Sequence, residues 1–103
     1  MTKVEFLQEK SKLSVFIYGE MDHHGAQKIR EEIYSEILKI MPRIVIMNFS
    51  NITFMDSSGI GLVLARSKFA SDCGATLYVE GTDRQTSKIL ALAGIKTIQN
   101  IKM

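Results

Sequence analysis

Asp56-Ser57-Ser58-Gly59 places a carboxylate, two hydroxyls and a glycine in a row, directly ahead of an amphipathic stretch over 60–71 and after an apolar run that begins near Ile44. The position is a strand-to-helix junction. A helix N-terminus carries unpaired N–H groups and a partial positive charge, so it takes an acidic cap and stabilises an anion. Asp56 is placed as that cap, and Ser57 falls in the first turn with its hydroxyl outward. A serine there is suited to carry a phosphate, which would add about −1.5 to −2 charges beside Asp56 and change what the surface can bind. Gly59 and Gly61 are unusual inside a helix, where glycine costs roughly 1 kcal/mol relative to alanine. Two explanations stand side by side: close packing of helix on sheet, or close approach of a partner to this first turn.

The elements around the junction follow from periodicity. Residues 4–7 and 13–18 alternate apolar and polar side chains and read as a hairpin, with Gly19 and Glu20 at its end. From Met21 the period lengthens. Ala26, Ile29, Ile33, Ile37 and Ile40 form one face of a helix that Asp22 is placed to cap and Pro42 to close. Residues 44–47 are a continuous apolar strand, residues 48–53 read as a polar turn, and Phe54-Met55 leads into Asp56. The helix that follows is expected to turn Ile60, Val63, Leu64 and Ser67 inward and Arg66 and Lys68 outward. Gly74 ends it. Residues 76–80 form a strand, Asp83 caps a helix over 85–93, Gly94 stops that helix, and 97–101 adds a last short strand. The order is β-β-α-β-α-β-α-β, an α/β domain with a mixed sheet and right-handed crossovers.

Composition narrows the function classes. The chain has 103 residues, with 46% hydrophobic and 23% charged residues and a formal net charge of +2. That size fits one domain. The charge is too small and too scattered to argue for direct nucleic-acid or membrane binding. There is one cysteine, Cys73, read as a packed residue. No apolar leader or spanning segment is visible, and cytoplasmic residence is the expectation. Catalytic and cofactor patterns are lacking. No glycine stands two positions before Ser57 or Ser58 as a nucleophile elbow needs, and Gly59-Ile60-Gly61 lacks the Lys-Ser/Thr of a phosphate loop. His23 and His24 are adjacent at a helix start and read as polar residues, not metal ligands. Glu31-Glu32 reads as a solvated stripe.

Two further analogies fail. Carrier proteins that bear a phosphopantetheine arm on a serine after aspartate are acidic helical bundles without strands. Receiver domains need an acidic cluster after their first strand. Phe54-Met55-Asp56-Ser57-Ser58-Gly59-Ile60-Gly61, however, resembles the signature of the anti-sigma factor antagonists, which belong to the STAS domain class. Gly19-Glu20-Met21-Asp22-His23-His24 resembles the segment that ends the second strand and starts the first helix in that family, near to its sporulation branch in endospore-forming bacteria. The resemblance runs along nearly the whole chain. It implies a single STAS domain over 1–103 with helices mainly on one face of the sheet, and no cofactor. It also implies a partner that is both anti-sigma factor and serine kinase: the unphosphorylated protein captures it and frees a sigma factor, phosphorylation of Ser57 ends the binding, and a serine phosphatase resets the cycle. Asp22, Asp56, Ser57, Ser58, Gly59, Ile60 and Gly61 are then the partner-binding residues. A likeness to the family's longer members stops at 96–103, which leaves no room for the extra terminal helix many of them carry. The alternatives are a STAS domain serving as scaffold or sensor in a stress-signalling complex or transporter, and a small enzyme with Ser57 or Ser58 as nucleophile.

Overall fold

A computed structural model of the chain describes residues 1–98. The elements are β1 (Lys3–Glu9), β2 (Lys12–Met21), α1 (His23–Ile40), β3 (Ile44–Met55), α2 (Ser57–Asp72), β4 (Thr76–Glu80), α3 (Arg84–Leu92) and β5 (Lys96–Ile98). The five strands lie in one sheet in chain order, β1 antiparallel to β2 and the rest parallel. Each β-α-β unit therefore steps one strand in the same direction. Right-handed crossovers then put all three helices on the same face, and the core is a single cluster on that side. The expected α/β architecture and element order hold. The expected last strand over 97–101 begins one residue early, and its portion from 99 onward lies outside the described residues.

Register explains the core. Leu13 pairs with Val45 and Val45 with Leu77; Val15 pairs with Met47 and Met47 with Val79. These six side chains form two rows across the sheet and are buried. Ile29, Ile33 and Ile37 of α1, Leu62, Val63 and Ala70 of α2, and Leu90 of α3 close over them. Residues between the buried ones along each strand point to the other face, where Phe16, Ile46 and Tyr78 stay partly exposed.

Three local expectations are corrected. Residues 48–53 are not a turn but the middle of a twelve-residue strand. Asn48 to Met55 pairs with β2, while the pairing with β4 ends at Asn48. The alternation is broken because β3 carries two extra residues against β2: Phe16 and Tyr18 face Asn48 and Asn51, and Gly19 and Glu20 face Ile52 and Phe54. Bulges of this kind hide a strand from a period-two reading. At the end of β4 the chain stays against this segment, since a Cβ on Gly81 would lie 2.3 Å from Ser50 Oγ and 2.6 Å from its backbone nitrogen. On α2 the inward residue is Leu62, not Leu64, which is 38% exposed. The buried stripe is Gly59, Leu62, Val63 and Ala70. Arg66 falls on the same side and is half-buried instead of turned to solvent.

Candidate functional site

The extended β3 creates the site. Met21 and Met55 are register partners at the ends of β2 and β3, and the Asp56 N–H donates to the Met21 carbonyl at 3.4 Å. Two adjacent parallel strands thus end together, and each delivers a helix N-terminus to the same corner of the domain. Both helices are capped by the aspartate foreseen for them. Asp22 Oδ1 accepts from the Gly25 N–H at 2.8 Å, and Asp56 Oδ1 accepts from the Ser58 N–H at 2.8 Å. Losing such a cap costs about 1 kcal/mol. Asp56→Ala is expected to lower the thermal midpoint by roughly 4–8 °C for a domain of this size, as measured by calorimetry, while the far-ultraviolet spectrum is kept.

Ser57 is the first residue of α2 and is exposed. Ser58 is half-buried. The two glycines of the motif separate in role. A Cβ on Gly59 would lie 2.8 Å from Met55 Cγ and 3.3 Å from Met21 Cβ, so Gly59 is there for packing of helix on sheet. A Cβ on Gly61 would meet no heavy atom within 4 Å. Gly61 is exposed and nothing inside the domain requires it. Ile60 packs partly buried against the core and holds the turn from beneath. Of the foreseen residues, the structure thus brings Asp22, Asp56, Ser57, Ser58 and Gly61 to one corner, with Gly59 and Ile60 supporting it from inside.

Residues that the sequence reading does not assign to the site complete the corner. A cleft of about 230 Å³ runs between α1 and α2 from Ser58 and Gly61, with His23, Gln27, Arg30 and Arg66 on its walls. The Arg66 Nη1 donates to the Arg30 carbonyl at 3.0 Å, and its guanidinium lies 5.8 Å from the Tyr34 ring centroid and 6.0 Å from that of Phe69. Those two rings meet at 4.3 Å and tie α1 to α2. Arg66 could have been found from the helical spacing 59, 62–63, 66, 70, which puts it on the inward stripe. Among the described residues no group of three His, Cys, Asp or Glu side chains comes together to hold a metal, and no helix is long and apolar enough to cross a membrane.

This fold matches known proteins. The chain belongs to the STAS domain family, whose model matches residues 3–103. The relatives it matches within that family are anti-sigma factor antagonists. An anti-sigma F factor antagonist of Paenibacillus polymyxa is 27% identical over 99 residues, covering 96% of this chain and 85% of that protein. One from Lysinibacillus sphaericus is 42% identical over 52 residues, half of this chain and 44% of that protein. Among solved structures, the anti-sigma factor antagonist SpoIIAA in its unphosphorylated form superposes with a TM-score of 0.79 at 26% identity, covering 98% of this chain and 90% of that one. The Bacillus cell fate determinant SpoIIAA in its phosphorylated form gives 0.78 at 25% identity, covering 99% and 93%.

Proposed function

We propose that this chain, acting as one STAS domain over 1–103, captures an anti-sigma factor that is also a serine kinase, and that phosphorylation of Ser57 ends the capture. A serine phosphatase would restore the binding form. The observation that carries this reading is the exposure of Ser57 at the first position of α2, beside a second capped helix N-terminus. In the free protein a phosphate on Ser57 stays hydrated and gains from the helix dipole. Once a partner covers the corner, water is excluded, and Asp56 and Asp22 add like charge next to the phosphate. An unpaired charge buried in this way is expensive.

Asp22, Asp56, Ser57, Ser58 and Gly61 form the contact surface in this reading, and Gly59 and Ile60 maintain its shape. The kinase supplies ATP and magnesium, and this chain supplies only the acceptor hydroxyl. The protein acts in the cytoplasm without direct contact to nucleic acid or membrane. The test is intact-mass and peptide mass spectrometry after incubation with ATP and the anti-sigma kinase of the same genome. One added phosphate on the peptide that carries Ser57 is expected. A phosphate elsewhere, or capture with no phosphate, would contradict the assignment.

A further inference from the structure

We propose that the cleft between α1 and α2 is a cationic slot that receives an acidic side chain of the anti-sigma factor, with Arg66 as its receptor and Arg30 and His23 at the rim. The inference rests on the reading of the chain as an anti-sigma factor antagonist and adds to it the chemistry of the partner's contact. Charge complementarity is the first argument. No carboxylate lines the cleft, whereas two arginines and a histidine do. The nearest acid to Arg30 is its neighbour Glu31, at 3.8 Å on the exposed side, and Arg66 has no ion-pair partner among the described residues.

Unmet hydrogen bonding is the second argument. A guanidinium offers five N–H donors. Among the described residues Arg66 uses one, to the Arg30 carbonyl; its Nε is buried and takes no acceptor, so it is the remaining N–H groups of the two terminal nitrogens that can meet an incoming acid. The guanidinium also lies at cation–π distance from the Tyr34 and Phe69 rings. Burial lowers the Arg66 pKa from its ordinary value, Glu31 opposes that shift and Arg30 adds to it. A held, partly desolvated and unpaired guanidinium is pre-organised for a carboxylate in a way a mobile surface lysine is not.

Position is the third. The cleft opens at Ser58 and Gly61, within one helical turn of Ser57. A phosphate on Ser57 would sit next to Ser58, which lines the slot, and would both compete with the entering acid for the slot's cations and repel it, so the slot would add to the off-switch as well as to the affinity.

The test is calorimetric titration of the anti-sigma factor with wild-type protein, Arg66→Gln, Arg66→Lys and Arg30→Gln, each at low and high salt, with melting curves for every variant. The expected result is a loss of about tenfold or more in affinity for Arg66→Gln and a flatter salt dependence. Arg66→Lys should recover part of the affinity, and Arg30→Gln should shift in the same direction by less. Arg30 is exposed, so its variant decides the matter if Arg66→Gln does not fold. Folded variants that bind as the wild type does, with unchanged salt dependence, would overturn the slot while leaving the antagonist reading intact. Absence of binding by the wild type would overturn that reading itself. An Arg66-dependent rise in mass with concentration would assign the slot to a second copy of this chain and overturn the present occupant.

Discussion

Ser57→Asp is expected to lower affinity for the anti-sigma factor by roughly a hundredfold or more, and Ser57→Ala to leave it within a few-fold of wild type. The side chain is exposed at the N-terminus of α2, so neither substitution disturbs the core. Both should melt close to the wild type. The difference arises only when the corner is covered. A carboxylate at this position then loses its water next to Asp56, no cation among the described residues forms an ion pair with Asp56, and the partner's own acid holds the cations of the nearby slot. The aspartate carries less charge than a phosphate, which brings about −1.5 to −2, so the phosphorylated protein should bind more weakly still. Ser57→Ala should also remain bound in the presence of ATP, because it has no hydroxyl to accept the phosphate. Equal affinities for the two variants in a titration would remove Ser57 from the switch.

Gly61→Leu is expected to stabilise the free protein and to damage binding at the same time. Nothing within 4 Å obstructs a Cβ there, and the position is exposed. Replacing a helix-interior glycine by a good helix former is worth about 0.5–1 kcal/mol, which corresponds to a rise of roughly 2–8 °C in melting temperature. If the partner's backbone or a large side chain lies against this turn, the leucine excludes it, and affinity should fall by about tenfold or more. Gly59→Ala is the contrast. Its methyl must push Met55 aside, so any loss appears in the melting curve of the free protein. A Gly61→Leu protein that melts higher and still binds normally would show that the partner does not touch this turn.

The two glycines also mark the limit of what the sequence makes legible. Their rarity inside a helix was visible, but the choice between packing and partner approach depends on what lies beneath each one. Met55 and Met21 answer that for Gly59, and empty space answers it for Gly61. The caps Asp22, Asp56 and Asp83 were readable because a helix start is a local event: a short acidic side chain bonds an N–H two or three residues on. The second half of β3 was not readable. Its polar residues and two extra positions imitate a turn, and only pairing with β2 makes them a strand. The resemblance brings Asp22 to the same site as Asp56, but only the pairing of β3 with β2 explains it: the two strands end in register and place both helix N-termini together. Arg66 was misplaced for a related reason. Charge suggested solvent, whereas the helical spacing put it against α1, where the guanidinium lies at cation–π distance from two aromatic rings.

The central claim is that one phosphate on Ser57 decides between bound and free. The most direct measurement is a titration of the anti-sigma factor with a single preparation of this protein before and after stoichiometric phosphorylation, with the modified residue assigned by peptide mass. The account predicts tight binding before, a loss of roughly a hundredfold or more after, and recovery once a serine phosphatase has removed the group. Unchanged affinity of protein fully phosphorylated on Ser57 would contradict it.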